Sequence, residues 1–112
     1  MDYKIKSKIW IESNGKILLG EGRVQLLKAI KETGSLSKAA KKLKMSYKKA
    51  WGLIDAVNSI AEKEVVIKNI GGKSGGGTVL TEYGDSLINT FEKINESCWR
   101  HLDKEIKKSD LG

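Results

Sequence analysis

The 112-residue chain has one cysteine, one histidine and no proline. Cys98 alone cannot close an internal disulfide, and it falls within an apolar helical stripe, which fits a reducing, cytoplasmic setting. With His101 as the one histidine there is no zinc-ligand set, and a Cys/His pair three residues apart on one helix lacks an orienting third group. No catalytic residue, metal or cofactor is therefore expected, and the chain is not read as an enzyme. The opening MDYKIKSKIW lacks the apolar core of a signal peptide, and no run approaches the ~18 apolar residues of a membrane span. A soluble protein without a membrane partner is expected. The missing proline points to no function.

Acids are nearly missing from one stretch. Between Lys28 and Lys49 stand eight lysines and one acid, Glu32, so the formal net charge of +7 resides there and the rest of the chain sums to neutrality. That clustering suits a polyanionic partner. The length allows one ordinary domain with a small core.

The glycines concentrate in GGKSGGG, residues 71–77, whose Gly72-Lys73-Ser74 matches the tail of a phosphate-binding loop. A Walker loop needs another glycine five residues before its GK[ST] glycine, and a helix directly after it. Ile67 occupies the first position, and a β-type run follows, so the nucleotide reading fails. Flexible backbone with one cation suits instead the tip of a hairpin lying against a sugar-phosphate strand, with Lys73 meeting phosphate. A surface hairpin without a partner is the plainer alternative.

The order of elements gives that hairpin a context. Tyr3, Ile5, Ile9 and Ile11 alternate with Lys4, Lys6, Lys8 and Glu12, which predicts a half-buried strand. Asn14-Gly15 supplies the turn and Lys16-Ile17-Leu18-Leu19 the returning strand. From Glu21 the period becomes helical, with Val24, Leu26, Leu27 and Ile30 inward, until Thr33-Gly34. Ser35 or Ser37 caps a brief second helix, whose apolar face is Leu36, Ala39, Ala40 and Leu43; Lys44-Met45 is the turn out of it. Ser46 caps a longer third helix with Ala50, Ile54, Val57 and Ala61 on one stripe. A short helix, a turn and a longer helix form a helix-turn-helix pattern. Val65-Val66-Ile67 and Thr78-Val79-Leu80 then read as a wing around the glycines. Thr81 caps a last helix of about 25 residues, roughly 38 Å long and more than so small a domain can cover. Its unmatched stripe calls for a second copy, through Leu87, Phe91, Ile94, Cys98, Leu102 and Ile106.

The expected architecture is α+β, mainly helical: a winged helix-turn-helix in a single domain, 1–112. Residues 1–20 form a β-hairpin, 21–63 a three-helix core, 64–80 the wing and 81–108 a dimerisation helix.

The strings Gly34-Ser35-Leu36-Ser37-Lys38-Ala39-Ala40, Met45-Ser46-Tyr47-Lys48-Lys49-Ala50-Trp51 and residues 71–84, in this order, resemble the DNA-binding half of the molybdate-responsive regulators of the ModE type, within the LysR-like winged-helix group. The resemblance covers about residues 20 to 95. It implies a dimeric regulator that binds double-stranded DNA. Full-length members carry C-terminal β-barrel domains that bind molybdate, for which this sequence leaves no room. A stand-alone DNA-binding protein, one taking its signal from a separate effector-sensing protein, and a piece of a longer chain stay open.

In a helix-turn-helix the start of the second helix enters the major groove, here Ser46, Tyr47, Lys48, Lys49 and, a turn on, Gly52 and Asp55. Lys48 or Lys49 can bond guanine edges, and at least one is assigned to phosphate. Tyr47 offers its hydroxyl to phosphate or packs against Trp51, which is read as core. Gly52 permits close approach to DNA or is incidental. Ser35, Ser37 and Lys38 can hold a phosphate, the serines also serving as caps. Lys73 and Ser74 complete the set in the wing. Gathered lysines favour a sequence-specific transcription regulator over the alternative, a winged helix used as a protein-interaction module.

Overall fold

A computed structural model describes residues 2–68 and 77–112. Strand β1 (Trp10–Ser13) turns at Asn14-Gly15, with φ of 52° and 76°, into β2 (Lys16–Gly20). These two positive φ values favour asparagine and glycine. The register slips between Ile11, which faces Leu19, and Glu12, which faces Ile17. The extra residue, Leu18, lets two consecutive leucines enter the core where strict alternation would expose one.

The ladder is shorter than the sequence pattern predicts. Trp10 pairs with Gly20, and the chain becomes helical at Glu21, so residues 3–9 have no strand to bond. They run extended along the last helix instead, where Ser7 Oγ lies 3.6 Å from Cys98 Sγ, and Tyr3 and Ile5 remain exposed.

Helix α1 (Glu21–Thr33) follows directly and buries Val24, Leu26, Leu27, Ala29 and Ile30. It ends at Gly34, whose N–H bonds the Ile30 carbonyl. Helix α2 (Leu36–Lys42) is capped by Ser35 rather than Ser37: the Ser35 hydroxyl accepts the Lys38 N–H at 3.2 Å, and Ser37 is exposed within the helix. Lys44 makes the turn at φ 57°, and Ser46 caps α3 (Tyr47–Ile60) by accepting the Lys49 N–H at 3.1 Å. The side of α3 that carries Ala50, Ile54 and Val57 is buried, as its period predicts.

The wing consists of β3 (Val66–Lys68) antiparallel to β4 (Thr78–Leu80), with Val66 opposite Leu80 and Lys68 opposite Thr78. Helix α4 (Glu82–Lys108) starts from Thr81, whose hydroxyl accepts the Gly84 N–H at 2.9 Å and donates to the Glu64 carbonyl at 2.7 Å. A Cβ on Gly84 would stand 2.5 Å from the Val65 carbonyl oxygen, so only glycine lets α4 lie this close to the wing.

The core is shared by hairpin, helices and wing: Leu19, Leu26, Leu27, Ile30, Ile54, Val57, Val65 and Val66 are fully buried. Each such side chain stabilises the fold by about 1.5–3 kcal/mol. Helix α4 contributes Ile88 and Phe91 and then leaves the core, since none of its later residues is buried. The molecule is correspondingly elongated, 62 × 30 × 21 Å. Among the described residues, no helix is long and apolar enough to cross a membrane, and no group of three or more His, Cys, Asp or Glu side chains could hold a metal.

Candidate nucleic-acid interface

The lysines of the cluster differ in their partners. Lys28 bonds Glu92 at 2.7 Å, Lys31 pairs with Asp85, and Lys42 pairs with Glu32. The hydrogen bond and charge of Lys42 hold the Glu32 carboxyl below its ordinary range. Helix α4 thus neutralises the α1 lysines, which sequence position alone had grouped with the rest. Among the described residues, Lys38, Lys41, Lys44, Lys48 and Lys49 have no acid partner. These five lie on α2, on the turn and at the start of α3, all exposed.

Helix α3 places its predicted contact residues on different flanks. Ala50, Ile54 and Val57 set the buried side, so Lys48, Gly52 and Asp55 fall on the outward side by helical period, and all three are exposed. Lys49 turns toward the N-terminal hairpin, where it borders an apolar groove of about 490 Å³ with Trp10, Ile17, Met45 and Leu53. Tyr47 and Trp51 occupy the opposite flank, 55% and 44% exposed. Trp51 is therefore not a core residue: the buried arc of α3 is filled by Ala50, Ile54 and Val57, and the indole meets the wing instead. The Lys68 Nζ lies 3.8 Å from the centre of its ring.

Ser35 and Ser46 sit at the starts of α2 and α3, each using its hydroxyl oxygen as a cap. Ser37 and Lys38 project from the first turn of α2. Lys73 and Ser74, the expected wing-tip contacts, lie outside the described residues.

The wing's orientation comes from a residue the sequence reading passed over. Asn58, near the end of α3, donates from Nδ2 to the Val66 carbonyl at 2.9 Å; its Oδ1 accepts the N–H groups of Val65 and Val66 at 2.8 and 3.1 Å. One side chain thus binds β3 to the helix that carries the outward face. An asparagine at a helix end before a β-branched run was the available signal, since an amide can mimic a strand edge. Strand β4 is tied in turn to the start of the helix-turn-helix, its Thr78 N–H bonding the Gly34 carbonyl at 3.0 Å.

On α4 the expected dimerisation residues separate into two groups. Phe91 is 3% exposed, packed in its own chain's core because α1 lies against the first turns of α4, so it cannot supply surface to a second copy. Leu87 is half-buried beside it. Ile94, half exposed, begins the part of the stripe that lies past the core; Cys98, Leu102 and Ile106 continue it, partly exposed, with Ser7 of the N-terminal segment against Cys98.

Two helices joined by a tight turn, a wing bonded to the second of them and a long C-terminal helix define a winged helix-turn-helix protein. No family model matches the chain. Curated relatives do. It is 43% identical over 86 residues to the transcriptional regulator ModE of Haemophilus influenzae, covering 74% of this chain and 34% of that protein. It is 43% identical over 88 residues to the DNA-binding transcriptional dual regulator ModE of Escherichia coli K12, covering 79% and 34%. The molybdenum-pterin-binding protein MopB of Rhodobacter capsulatus is 46% identical over 93 residues, covering 83% and 34%. The kinship with ModE-type regulators that the motifs suggest is thereby shown for most of this chain, which spans about a third of the length of these relatives.

Proposed function

We propose that this chain binds double-stranded DNA as a homodimeric, sequence-specific transcription regulator linked to molybdenum. The observation that carries the proposal is the sorting of charge. Lysines of α1 are matched by acids of α4, while among the described residues five lysines around the helix-turn-helix have no acid partner beside an exposed outward face of α3. Relatives named as transcriptional regulators and molybdenum proteins support the same reading.

Helix α3 enters the major groove with Lys48 foremost; Ser35, Ser37, Lys38, Ser46 and Lys49 flank it toward the phosphates, and Tyr47 offers its hydroxyl there. Lys73 and Ser74, outside the described residues, are assigned to backbone phosphate. Two copies join along α4 through Ile94, Cys98, Leu102 and Ile106, with Leu87 at the edge, which sets the spacing of two half-sites.

Selection of bound duplexes from a random pool tests specificity and symmetry together: an inverted repeat is expected. Unselective recovery would sink sequence-specific binding, and a monomeric mass at tens of micromolar would sink the dimer.

A further inference from the structure

Trp51 is the large side chain on the outer surface of α3 that the roles above leave unused. An indole nearly half exposed gains little from its own fold, yet this one has a contact with the wing. On one side the Lys68 ammonium lies over the ring at 3.8 Å, within cation–π range. Lys68 belongs to β3, and β3 is itself fixed to α3 by the three hydrogen bonds of Asn58. The ring is therefore located by its helix and by the wing together.

Next to it the surface is open. Gly52 carries no side chain, and a Cβ there would meet nothing within 4 Å. A rigid apolar body beside a gap on a helix face is suited to an apolar group on its partner. The major-groove edges of the four bases offer one such group, the C5-methyl of thymine. Lys48 and Tyr47 have polar heads for phosphates and base acceptors; the indole, larger than the neighbouring Tyr47 ring and without a hydroxyl, offers the broader apolar surface.

We propose that Trp51 is a specificity-determining residue that packs against a thymine C5-methyl in the major groove, Gly52 leaving room for the base pair and Lys68 acting as the positioning residue for the ring. The inference rests on the reading that α3 enters the major groove.

Uracil differs from thymine by that methyl alone, so the test replaces thymines one at a time by uracil in the duplex that the wild-type protein selects from a random pool. At one thymine in each half-site the wild type weakens about fourfold, the affinity equivalent of one buried methyl group. Trp51→Ala binds the thymine duplex more weakly and no longer distinguishes it from the uracil duplex. Trp51→Gln, which keeps a long side chain, behaves likewise and serves if the alanine variant does not fold. Lys68→Met reduces the thymine-to-uracil ratio, whereas Lys68→Arg, whose guanidinium also stacks on indole, retains it. A purely structural role would lower affinity for both duplexes equally. An unchanged ratio in both Trp51 variants, or a selected site with no methyl-sensitive thymine, overturns the proposal while leaving specific DNA binding intact. Failure to select any sequence overturns both.

Discussion

Helices α3 and α4 grip the same short piece of chain and present opposite surfaces. Helix α3 holds Val65 and Val66 through the Asn58 amide; α4 holds Glu64 and Val65 through Thr81 and the close approach of Gly84. Beyond that shared anchor, α3 offers unpaired cations and two exposed aromatics, whereas α4 spends its early acids on the α1 lysines and then extends an apolar stripe past the core. Two amphipathic helices of one short chain are thus specialised by what surrounds them. The difference teaches that lysines near in sequence are not equivalent until their acid partners are located.

The anchor gives the largest expected effects. Gly84→Ala should destabilise the fold by about 1–3 kcal/mol, because the new methyl must displace backbone rather than a pliable side chain. A denaturation midpoint within error of wild type would mean that α4 tolerates being moved off the wing. Asn58→Ala leaves two strand N–H groups short of an acceptor and should cost about 2 kcal/mol. Hydrogen exchange at Val65 and Val66 should rise with it, while exchange in α1 follows global stability only.

Charge provides the sharper comparison at smaller magnitude. Lys48→Ala should weaken duplex binding and lower the slope of log affinity against log salt by about 1. Lys28→Ala, whose charge is already matched by Glu92, should leave that slope nearly unchanged. Equal changes in both variants would restore the whole cluster as a single DNA-binding field.

The smallest effect concerns Glu32. Its carboxyl is depressed in the folded protein, so its contribution is present above the ordinary value near 4.5 and is lost as pH falls through the lower folded value. The group is fully exposed, so Glu32→Gln should change the acid limb of a stability-against-pH curve slightly and leave neutral pH almost untouched.

Most of the helix-turn-helix was legible along the chain because its signals are local. Ser46 and Thr81 cap the helices their positions predicted, and Asn14-Gly15 turns the hairpin. The strand expected over residues 3–9 failed for a nonlocal reason: alternation can be read from one segment, but a ladder needs a partner, and α1 begins where that partner would have run. Trp51 was misassigned because a helix of this amphipathicity has room for a large apolar residue at the edge of its buried arc, and only the position of Lys68 fixes which side of that edge it occupies.

By itself the sequence determined the order of elements, their caps, the basic bias of the central stretch and the kinship with ModE-type regulators, since these depend on residue type and spacing. Tertiary structure decided which lysines remain unpaired among the described residues, that Phe91 faces inward, that Trp51 lies half exposed on the flank of α3 beside the wing and that Asn58 sets the wing. Each of those depends on contacts between residues distant along the chain, such as Lys28 with Glu92, and no local period carries that information.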